Sequence, residues 1–274
     1  MIGLSGQVDG QGRRIKLHDA EDFEAMRRAG RVAAETLDFI TPHIRPGIST
    51  AELDRLLDRH MREQGAVAAT IGYRGYRHAS CISVNHVVTH GIPADTKRLA
   101  EGDILNIDVT PRLDGWHGDS SRMYVVGAVS KLAQRLIGAT FEAMMAAISA
   151  VRPGATLGDI GAAIMEVARR ERFSIVEDFT GHGIGRVFHD APEILHTGRV
   201  GTGLRLETGI IFTIEPMLNA GRAEVKILPD GWTTVTRDRS LSAQFEHTIG
   251  VAEAGAEIFT ASPLGHHRPP YRAA

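Results

Sequence analysis

Apolar residues recur at intervals of three and four through residues 21–40, which is the spacing of one buried helix face. This pattern predicts a first helix that ends before the Arg-Pro-Gly break at 45–47. Directly after the break, Ser49 and Glu52 have the spacing of a capping box, in which two side chains satisfy free backbone N–H groups of the first turn. We therefore predict a second helix from this cap to about Gln64.

Beyond residue 80 the pattern changes to short apolar runs. Such runs stand at 81–85, 87–90, 104–110 and 123–126, and their length and β-branched residues are typical of strands. The dipeptide Asp114-Gly115 lies between two of them and favours a two-residue hairpin turn. The first part of the chain thus predicts two helices followed by strands.

The same order of elements then returns. Helical spacing runs through 132–151, a second Arg-Pro-Gly break stands at 152–154, and Thr156 with Asp159 forms a weaker capping pair. The helix that follows this pair is predicted to continue to about Arg172. Further strands are predicted at 209–215, 224–227, 233–235 and 242–251.

The two Arg-Pro-Gly breaks align at an offset of 107 residues. At this offset Asp108 falls on Glu215, and each is a single carboxylate in an otherwise apolar strand. Chance is one explanation for so short a match, but the agreement of two separate landmarks favours an internal duplication. A two-fold axis between the halves would bring the two acids together.

The alignment divides the chain into three parts. Residues 1–19 are Gly-rich and without periodicity, and we expect them to form an N-terminal arm. Residues 20–253 form a single domain of two pseudo-repeats, about 20–127 and 128–253. Residues 254–274, which carry several prolines and a His-His pair, are expected to form a C-terminal surface tail.

Composition narrows the class of protein. The chain has 31 Lys and Arg residues against 33 Asp and Glu residues, a net charge of -2, with no basic block that would indicate nucleic-acid binding. Its hydrophobic fraction of 43% suffices for a packed core, and no apolar run approaches the ~18 residues of a membrane span. A single cysteine excludes an internal disulfide, and the first residues lack signal-peptide features. We therefore expect a cytoplasmic protein.

Four carboxylates lie in or beside apolar strands, where an unpaired charge is costly. They are Asp108, Asp119, Glu215 and Glu246. Each alone could be a salt-bridged structural acid, but if all four converge they require shared protons or divalent cations. His182, between two glycines, adds an accessible imidazole.

This donor set suits two divalent ions among Mn, Fe(II), Co and Zn. A chain with one cysteine cannot build a thiolate-rich zinc site. Two ions bridged by carboxylates activate water and polarise a carbonyl or phosphoryl oxygen. The residues therefore indicate a metallohydrolase.

Seven ordered motifs resemble those of the bacterial type I methionine aminopeptidases. They are CISVN at 81–85, HGIP at 90–93, NIDVT at 106–110, HGD at 117–119, GHGIG at 181–185, FTIEPM at 212–217 and SAQFEHT at 242–248. The resemblance covers about residues 20–252 and implies the α/β pita-bread fold, in which two halves related by a pseudo-two-fold surround a central antiparallel sheet.

The resemblance also implies the role of each candidate residue. Asp108 would chelate one metal ion, Asp119 and Glu246 would bridge the pair, and His182 and Glu215 would complete the other ion. Catalysis would involve Glu215 in managing the proton of the attacking water. His189 would hydrogen-bond the scissile carbonyl, and His90 would contact the nitrogen of the leaving amine.

Two further sites follow from the same resemblance. The methionine side chain would be surrounded by Tyr73, Tyr76, Cys81, Phe188 and Trp232, although core packing is an equally good explanation for Cys81. A monovalent cation, Na or K, would bind backbone oxygens near Asn85, Val87 and Ser242. The chain departs from some relatives at Thr70, Arg74 and Thr89, where Cys, His and Cys are common.

The implied function is removal of the initiator methionine from nascent proteins, with a preference for a small, uncharged second residue. Nascent N-termini would be the partners, with the ribosome as a candidate site of contact, and no nucleic acid or membrane would bind directly. A monomer is expected. Two alternatives remain open: an X-Pro peptidase or creatinase-like metallohydrolase, and a non-catalytic binding protein on the same scaffold.

Overall fold

The computed structural model of the protein describes residues 3–271. The α-helices are α1 (Ala20–Ile40), α2 (Thr50–Glu63), α3 (Lys131–Ala150) and α4 (Leu157–Glu171). Single 3-10 turns occur at Thr41–His43 and Tyr73–Gly75. The helix bounds match the sequence prediction to within a residue or two. The capping box predicted at Ser49 is formed, whereas at Thr156 only one half is present, in which the Thr156 N–H donates to the Asp159 carboxylate at 2.7 Å.

The strands of the first half are β1 (Gly3–Val8), β2 (Arg14–Leu17), β3 (Val67–Ala68), β4 (Ser80–Val84), β5 (Val87–Thr89), β6 (Ile104–Val109), β7 (Pro111–Leu113), β8 (Trp116–His117) and β9 (Ser120–Val125). Those of the second half are β10 (Ser174–Ile175), β11 (Gly181–Gly183), β12 (Asp190–Ile194), β13 (Ile211–Ile214), β14 (Met217–Asn219), β15 (Val225–Ile227), β16 (Thr234–Thr236), β17 (Ser242–Gln244), β18 (Glu246–Ala252) and β19 (Gly255–Ile258).

An eight-stranded antiparallel sheet forms the centre of the molecule. Its strand order is β12-β11-β13-β18-β9-β6-β4, with β19 paired to β18. Strands of the two halves meet in the middle, where β18 pairs with β9. The predicted α/β architecture around a central antiparallel sheet is confirmed.

The helices cover the sheet in two groups, one from each half. In the first half, Leu37 of α1 and Leu57 of α2 pack with Ile107 of β6 in one core. In the second half, Leu136 of α3 and Ile160 of α4 join a second core. All five side chains are fully buried, and burial of each contributes about 1.5–3 kcal/mol to stability.

The internal duplication extends to individual hydrogen bonds. The Gly47 N–H donates to the Leu99 carbonyl at 2.7 Å, and the Gly154 N–H donates to the Leu206 carbonyl at 2.8 Å. Backbone bridges pair Ser49 with Arg98 and Thr156 with Arg205. Each of these contacts recurs 107 residues later, so the two helix pairs are tied to their halves in the same way.

The N-terminal arm expected at residues 1–19 contains a hairpin of β1 and β2 within its described part. The hairpin lies against the second half: Lys16 Nζ is 2.7 Å from the Asp190 carboxylate, and the Gln7 amide donates to the Arg205 carbonyl at 2.8 Å. Glycine and polar residues dilute the apolar alternation of these strands and concealed them in the sequence, although Ile15 of β2 is fully buried in the core of the second half.

The C-terminal tail is also structured up to residue 271. Its first residues form β19 on the central sheet. The Ser262 hydroxyl donates to the Asp38 carboxylate at 2.8 Å, and the Tyr271 hydroxyl donates to the Met123 carbonyl at 2.6 Å. These contacts tie the tail to the first half. Among residues 3–271, no helix combines the length and the apolar character needed to cross a lipid bilayer.

Candidate metal centre and active-site cavity

Successive side chains of a strand point to opposite faces of the sheet, and this places two carboxylates on the face that points away from the helices. In β6, Ile107 and Val109 pack into the core beneath α1 and α2, so Asp108 between them lies on the other face of the sheet. In the second half, Ile214 packs beneath α3 and α4, and Glu215, the next residue, lies on the other face. The duplicated acids predicted from the sequence therefore come to the same side.

The five predicted ligands lie on five adjacent strands of the central sheet. In sheet order they are His182 of β11, Glu215 just after β13, Glu246 of β18, Asp119 just before β9, and Asp108 of β6. Neighbouring strands are about 4.8 Å apart. One row across the sheet thus brings together residues far apart in the chain.

The strand register aligns this row. Ser121 of β9 lies opposite Asp108 on one side and opposite Glu246 on the other. Asp119 precedes β9 by one residue, and its N–H donates to the Thr248 hydroxyl of β18 at 3.2 Å. The acids of the first half are therefore joined directly to the strand that carries Glu246.

His182, at one end of the row, lies close to two of the acids. Its Nε2 is 3.5 Å from the Asp119 carboxylate and 3.8 Å from the Glu215 carboxylate. One ligand atom from each of Asp119, His182 and Glu246 can be chosen so that all lie within 4.8 Å of one another. These separations suit atoms that share a metal ion.

The other ring nitrogen of His182 is held by the backbone. Nδ1 lies 3.0 Å from the Gly183 carbonyl oxygen, which is the arrangement that leaves Nε2 free to bind a metal. Gly183 is required here because a Cβ at this residue would lie 2.0 Å from the Ala191 carbonyl oxygen. Strand β12 therefore packs this closely against β11 only because residue 183 lacks a side chain.

Hydroxyl and amide groups hold the carboxylates in place. Thr110 donates to Asp119 at 2.8 Å, and Thr213 donates to Glu215 at 2.8 Å. The Gln244 amide lies 3.4 Å from the other oxygen of Glu215. These supporting residues were not predicted, although the sequence carries a signal for one of them: Thr213 is two positions from Glu215 and so shares its face of the strand.

The acids in this row repel one another. Burial and the charges of Asp119 and Glu215 raise the pKa of Asp108 well above its usual value. Burial and the charge of Asp119 likewise raise the pKa of Glu246. Burial raises the pKa of Glu215 to about 7, although the nearby His182 opposes the shift. Without cations the cluster must therefore hold protons, and divalent ions fit it because they neutralise the same charge.

The three histidines of the cavity differ electrostatically. Burial lowers the pKa of His182, but its contacts with Asp119 and Glu215 outweigh burial and raise it overall. Burial lowers the pKa of His90 and of His189, and the charge on His182 adds to the effect on His189. Both His90 and His189 are therefore neutral at pH 7. His189 lies at the cavity mouth, where solvent and substrate can reach it.

All twelve predicted catalytic, metal-binding and substrate-binding residues line one cavity of about 150 Å³. They are Tyr73, Tyr76, Cys81, His90, Asp108, Asp119, His182, Phe188, His189, Glu215, Trp232 and Glu246, and Thr70, Arg74, Thr89 and Thr110 complete the wall. A larger open groove of about 1320 Å³ runs along α4 and contains none of these side chains. The chemistry is therefore confined to the small cavity.

Aromatic rings form the apolar wall. The ring centroids of Tyr73 and Phe188 are 4.9 Å apart, and those of Tyr76 and Trp232 are 5.0 Å apart. Cys81 is buried beside Asp108 in the sheet register. Burial raises the pKa of the Cys81 thiol, so it is an uncharged part of the wall.

Two of the residues predicted to bind a monovalent cation lie next to each other. The Ser242 N–H donates to the Asn85 carbonyl at 2.9 Å. Asn85 has φ +58°, a left-handed conformation that its amide stabilises by bonding Asp103 at 2.7 Å. The cation itself stays a prediction.

Comparison with known proteins supports the same interpretation. Metallopeptidase family M24 matches residues 24–253. The methionine aminopeptidase of Rickettsia prowazekii is 56% identical over 94% of this chain and 99% of its own length. The methionine aminopeptidase of Escherichia coli is 51% identical over 90% of this chain and 94% of its own length.

Solved structures agree with the sequence relatives. The Rickettsia prowazekii enzyme superposes with a TM-score of 0.89 over 90% of this chain and 99% of its own. A prolidase from Pyrococcus furiosus, 21% identical with a TM-score of 0.72 over 89% of this chain and 65% of its own, shares the fold alone. The family resemblance inferred from the seven motifs is confirmed. The chain belongs to metallopeptidase family M24 and, within it, to the methionine aminopeptidases.

Proposed function

We propose that this protein is a metal-dependent exopeptidase that removes the N-terminal methionine of nascent proteins, preferentially when the second residue is small and uncharged. The observation that carries the proposal is the row of one histidine and four carboxylates at the bottom of an aromatic cavity. The relatives that are 49–56% identical and are named methionine aminopeptidases support it.

Two divalent ions would be held by the cluster. Asp108 would bind one, His182 and Glu215 the other, and Asp119 and Glu246 both. When bound, such ions supply an activated water and polarise the scissile carbonyl. The mutual repulsion of the acids supports two ions rather than one, because a single divalent ion would leave the four carboxylates and one imidazole with a net negative charge.

The protein's own groups manage protons and charge. Glu215, whose carboxylate accepts a hydrogen bond from Thr213 and lies 3.4 Å from the Gln244 amide, would take part in managing the proton of the attacking water. His189 would donate a hydrogen bond to the carbonyl oxygen of the scissile peptide as negative charge develops on it. His90, neutral and half-buried beside Trp232, would contact the departing nitrogen.

The cavity would select the methionine side chain. Contacts of the thioether with aromatic rings contribute about 0.3–1.5 kcal/mol each, and Tyr73, Tyr76, Phe188 and Trp232 offer such rings. A volume of about 150 Å³ leaves little room beside a bound methionine. A small second residue is therefore favoured.

Four further features belong to the same proposal. The metal ions would be among Mn, Fe(II), Co and Zn, and a Na or K ion would bind near Asn85, Val87 and Ser242. The protein would act as a monomer in the cytoplasm. It would meet its substrates as they leave the ribosome.

The first experiment measures methionine release from Met-Ala-Ser by metal-stripped protein with Mn, Co, Fe(II) or Zn added back separately. Leu-Ala-Ser and an amine-blocked Met-Ala-Ser are the control substrates. Release only from the free-amine methionine peptide supports the proposal and ranks the metals. Release only from Xaa-Pro peptides would indicate an X-Pro peptidase, and a folded protein that binds no divalent ion would indicate a non-catalytic scaffold.

The second experiment tests the ligand set. His182→Ala and Asp119→Ala should abolish turnover and reduce the divalent ions bound per chain, measured by calorimetry. His267→Ala, which removes an exposed imidazole of the tail, is the matched control and should retain both properties. Full turnover by either ligand variant would refute the assignment of the metal site.

A further inference from the structure

Arg74 places a positive charge on the rim of the active-site cavity that the proposed reaction does not use. Its side chain lines the cavity together with Tyr73 and His189, and the residue is exposed to solvent. Arg77, three positions further along the same loop, is also exposed but does not line the cavity. The two arginines thus differ mainly in their access to a bound substrate.

The surroundings of Arg74 restrict its position. The guanidinium carbon lies 5.4 Å from the centre of the Tyr73 ring, a cation–π distance. That ring is itself fixed, because it stacks on His189 with centroids 5.0 Å apart and contacts Phe188 at 4.9 Å. Arg74 has φ +45°, a conformation that long side chains seldom adopt. The loop therefore holds the cation beside the cavity.

Among residues 3–271, no carboxylate lies within 4.0 Å of the Arg74 guanidinium, and the same is true of Arg77, whereas some exposed arginines have such a partner. Arg55 pairs with Asp95 at 3.2 Å, and Arg62 pairs with Asp58 at 2.9 Å. The charge of Arg74 is thus available to a carboxylate that arrives with the substrate. Arginine suits this task, since its planar group accepts a carboxylate through two hydrogen bonds.

We propose that Arg74 is a specificity-determining residue that favours substrates with Asp or Glu at the third or fourth position. This inference rests on the proposed function. With the methionine enclosed and the second residue small, the third residue is the first whose side chain can extend at the cavity mouth. Each extended residue adds about 3.3–3.6 Å, so the third and fourth residues lie within reach of a rim arginine.

The expected preference is modest because the ion pair is exposed. An exposed ion pair between Arg74 and a substrate carboxylate should raise kcat/KM about two- to five-fold over that of a substrate without the charge. The preference should also shrink as ionic strength rises, because salt screens charges at the surface.

The test compares peptides that differ only in charge. Met-Ala-Asp-Ser and Met-Ala-Asn-Ser, both with amidated C-termini, are assayed with the metal-loaded enzyme, and a second pair carries Asp or Asn at the fourth position. The measured quantity is the Asp-to-Asn ratio of kcat/KM. The variants are Arg74→Gln, which removes the charge, Arg74→Lys, which keeps it, and Arg77→Gln as the matched control.

We expect a ratio of about two to five in the native protein for at least one pair. It should fall to about one in Arg74→Gln, persist in part in Arg74→Lys, and stay at the native value in Arg77→Gln. A ratio of one in the native protein, or the same ratio in Arg74→Gln, overturns the role of Arg74. If the ratio also falls to one in Arg77→Gln, the role of Arg74 is overturned as well, because the preference would then reflect the total charge of the loop.

The failure of this inference is distinguishable from failure of the proposed function. If no methionine is released from any of the peptides, the proposed function is wrong. If methionine is released at equal rates from the Asp and Asn peptides, only the role of Arg74 is wrong. Because each variant is judged by a ratio, a general loss of activity does not imitate the expected result.

Discussion

His196 should make the protein sensitive to acid. The residue follows β12 and is 2% exposed, and neither ring nitrogen has a hydrogen-bond partner among the described residues. Burial lowers its pKa from 6.5 to about 4, although the Val176 backbone lies close enough to oppose the shift. In the folded protein the imidazole therefore stays neutral down to about pH 4.

The sign of the effect follows from proton binding. Below pH 6.5 the unfolded chain protonates this imidazole and the folded protein does not, so acid favours unfolding. The loss of stability begins near pH 6.5 as the pH falls and levels off near pH 4. Between pH 7.5 and pH 4.5 these two pKa values correspond to a loss on the order of 2–3 kcal/mol in the free energy of unfolding.

The assay is urea unfolding of the native protein and of His196→Leu at both pH values, with a chelator present so that metal binding does not contribute. On acidification, the free energy of unfolding of the variant should fall by roughly 2–3 kcal/mol less than that of the native protein. Because the comparison is a difference between two pH values, a change in packing cancels. His267→Leu, at the exposed surface of the tail, gives the baseline. Equal acid sensitivity of His196→Leu and native protein would refute the reasoning.

The remaining predictions concern the tail, the metal centre and catalysis. Asp38→Ala should lower the free energy of unfolding, measured by urea titration, by about 3–5 kcal/mol, because it leaves the buried Arg122 guanidinium without its ion-pair partner. A loss below about 1 kcal/mol would contradict this. Gly183→Ala should lower the free energy of unfolding by about 1–3 kcal/mol or more and weaken metal binding measured by calorimetry. Gly10→Ala is the control and should change neither property, because an added methyl group there would meet no atom within 4 Å. His189→Ala should reduce kcat about 10²–10³-fold with normal metal content, and loss of metal would mean that its role is wrong.

The tail explains why Asp38 matters beyond its ion pair. Its carboxylate also accepts a hydrogen bond from Ser262, and His266 Nδ1 lies 3.5 Å away. A surface tail was predicted for residues 254–274, which carry several prolines and a His-His pair. The segment is instead held both by these polar contacts and by Phe259, whose ring packs against Phe23 with centroids 5.3 Å apart. Isolated contacts of this kind leave no periodic signature in the sequence.

The elements that the sequence predicted best are those with a local cause. Helix α2 begins where Ser49 and Glu52 form the predicted capping box, because a cap involves residues only three positions apart. Asp114-Gly115 forms the predicted hairpin turn, with φ of +51° and +83°. By contrast, β11 and β12 were not predicted, since β11 is Gly-His-Gly, and Asp190, Pro192 and Glu193 interrupt the apolar pattern of β12.

The sequence by itself determined the duplicated halves, the helices and the identities of the five candidate ligands, because periodicity, caps and motifs are properties of short segments. Only the tertiary structure decided that these ligands form one row. Asp119 and Thr248, 129 residues apart, exchange hydrogen bonds across two strands, and such register depends on how the halves pair. The same holds for Arg74, because a loop cation acquires a role only when folding places it at the rim of a cavity.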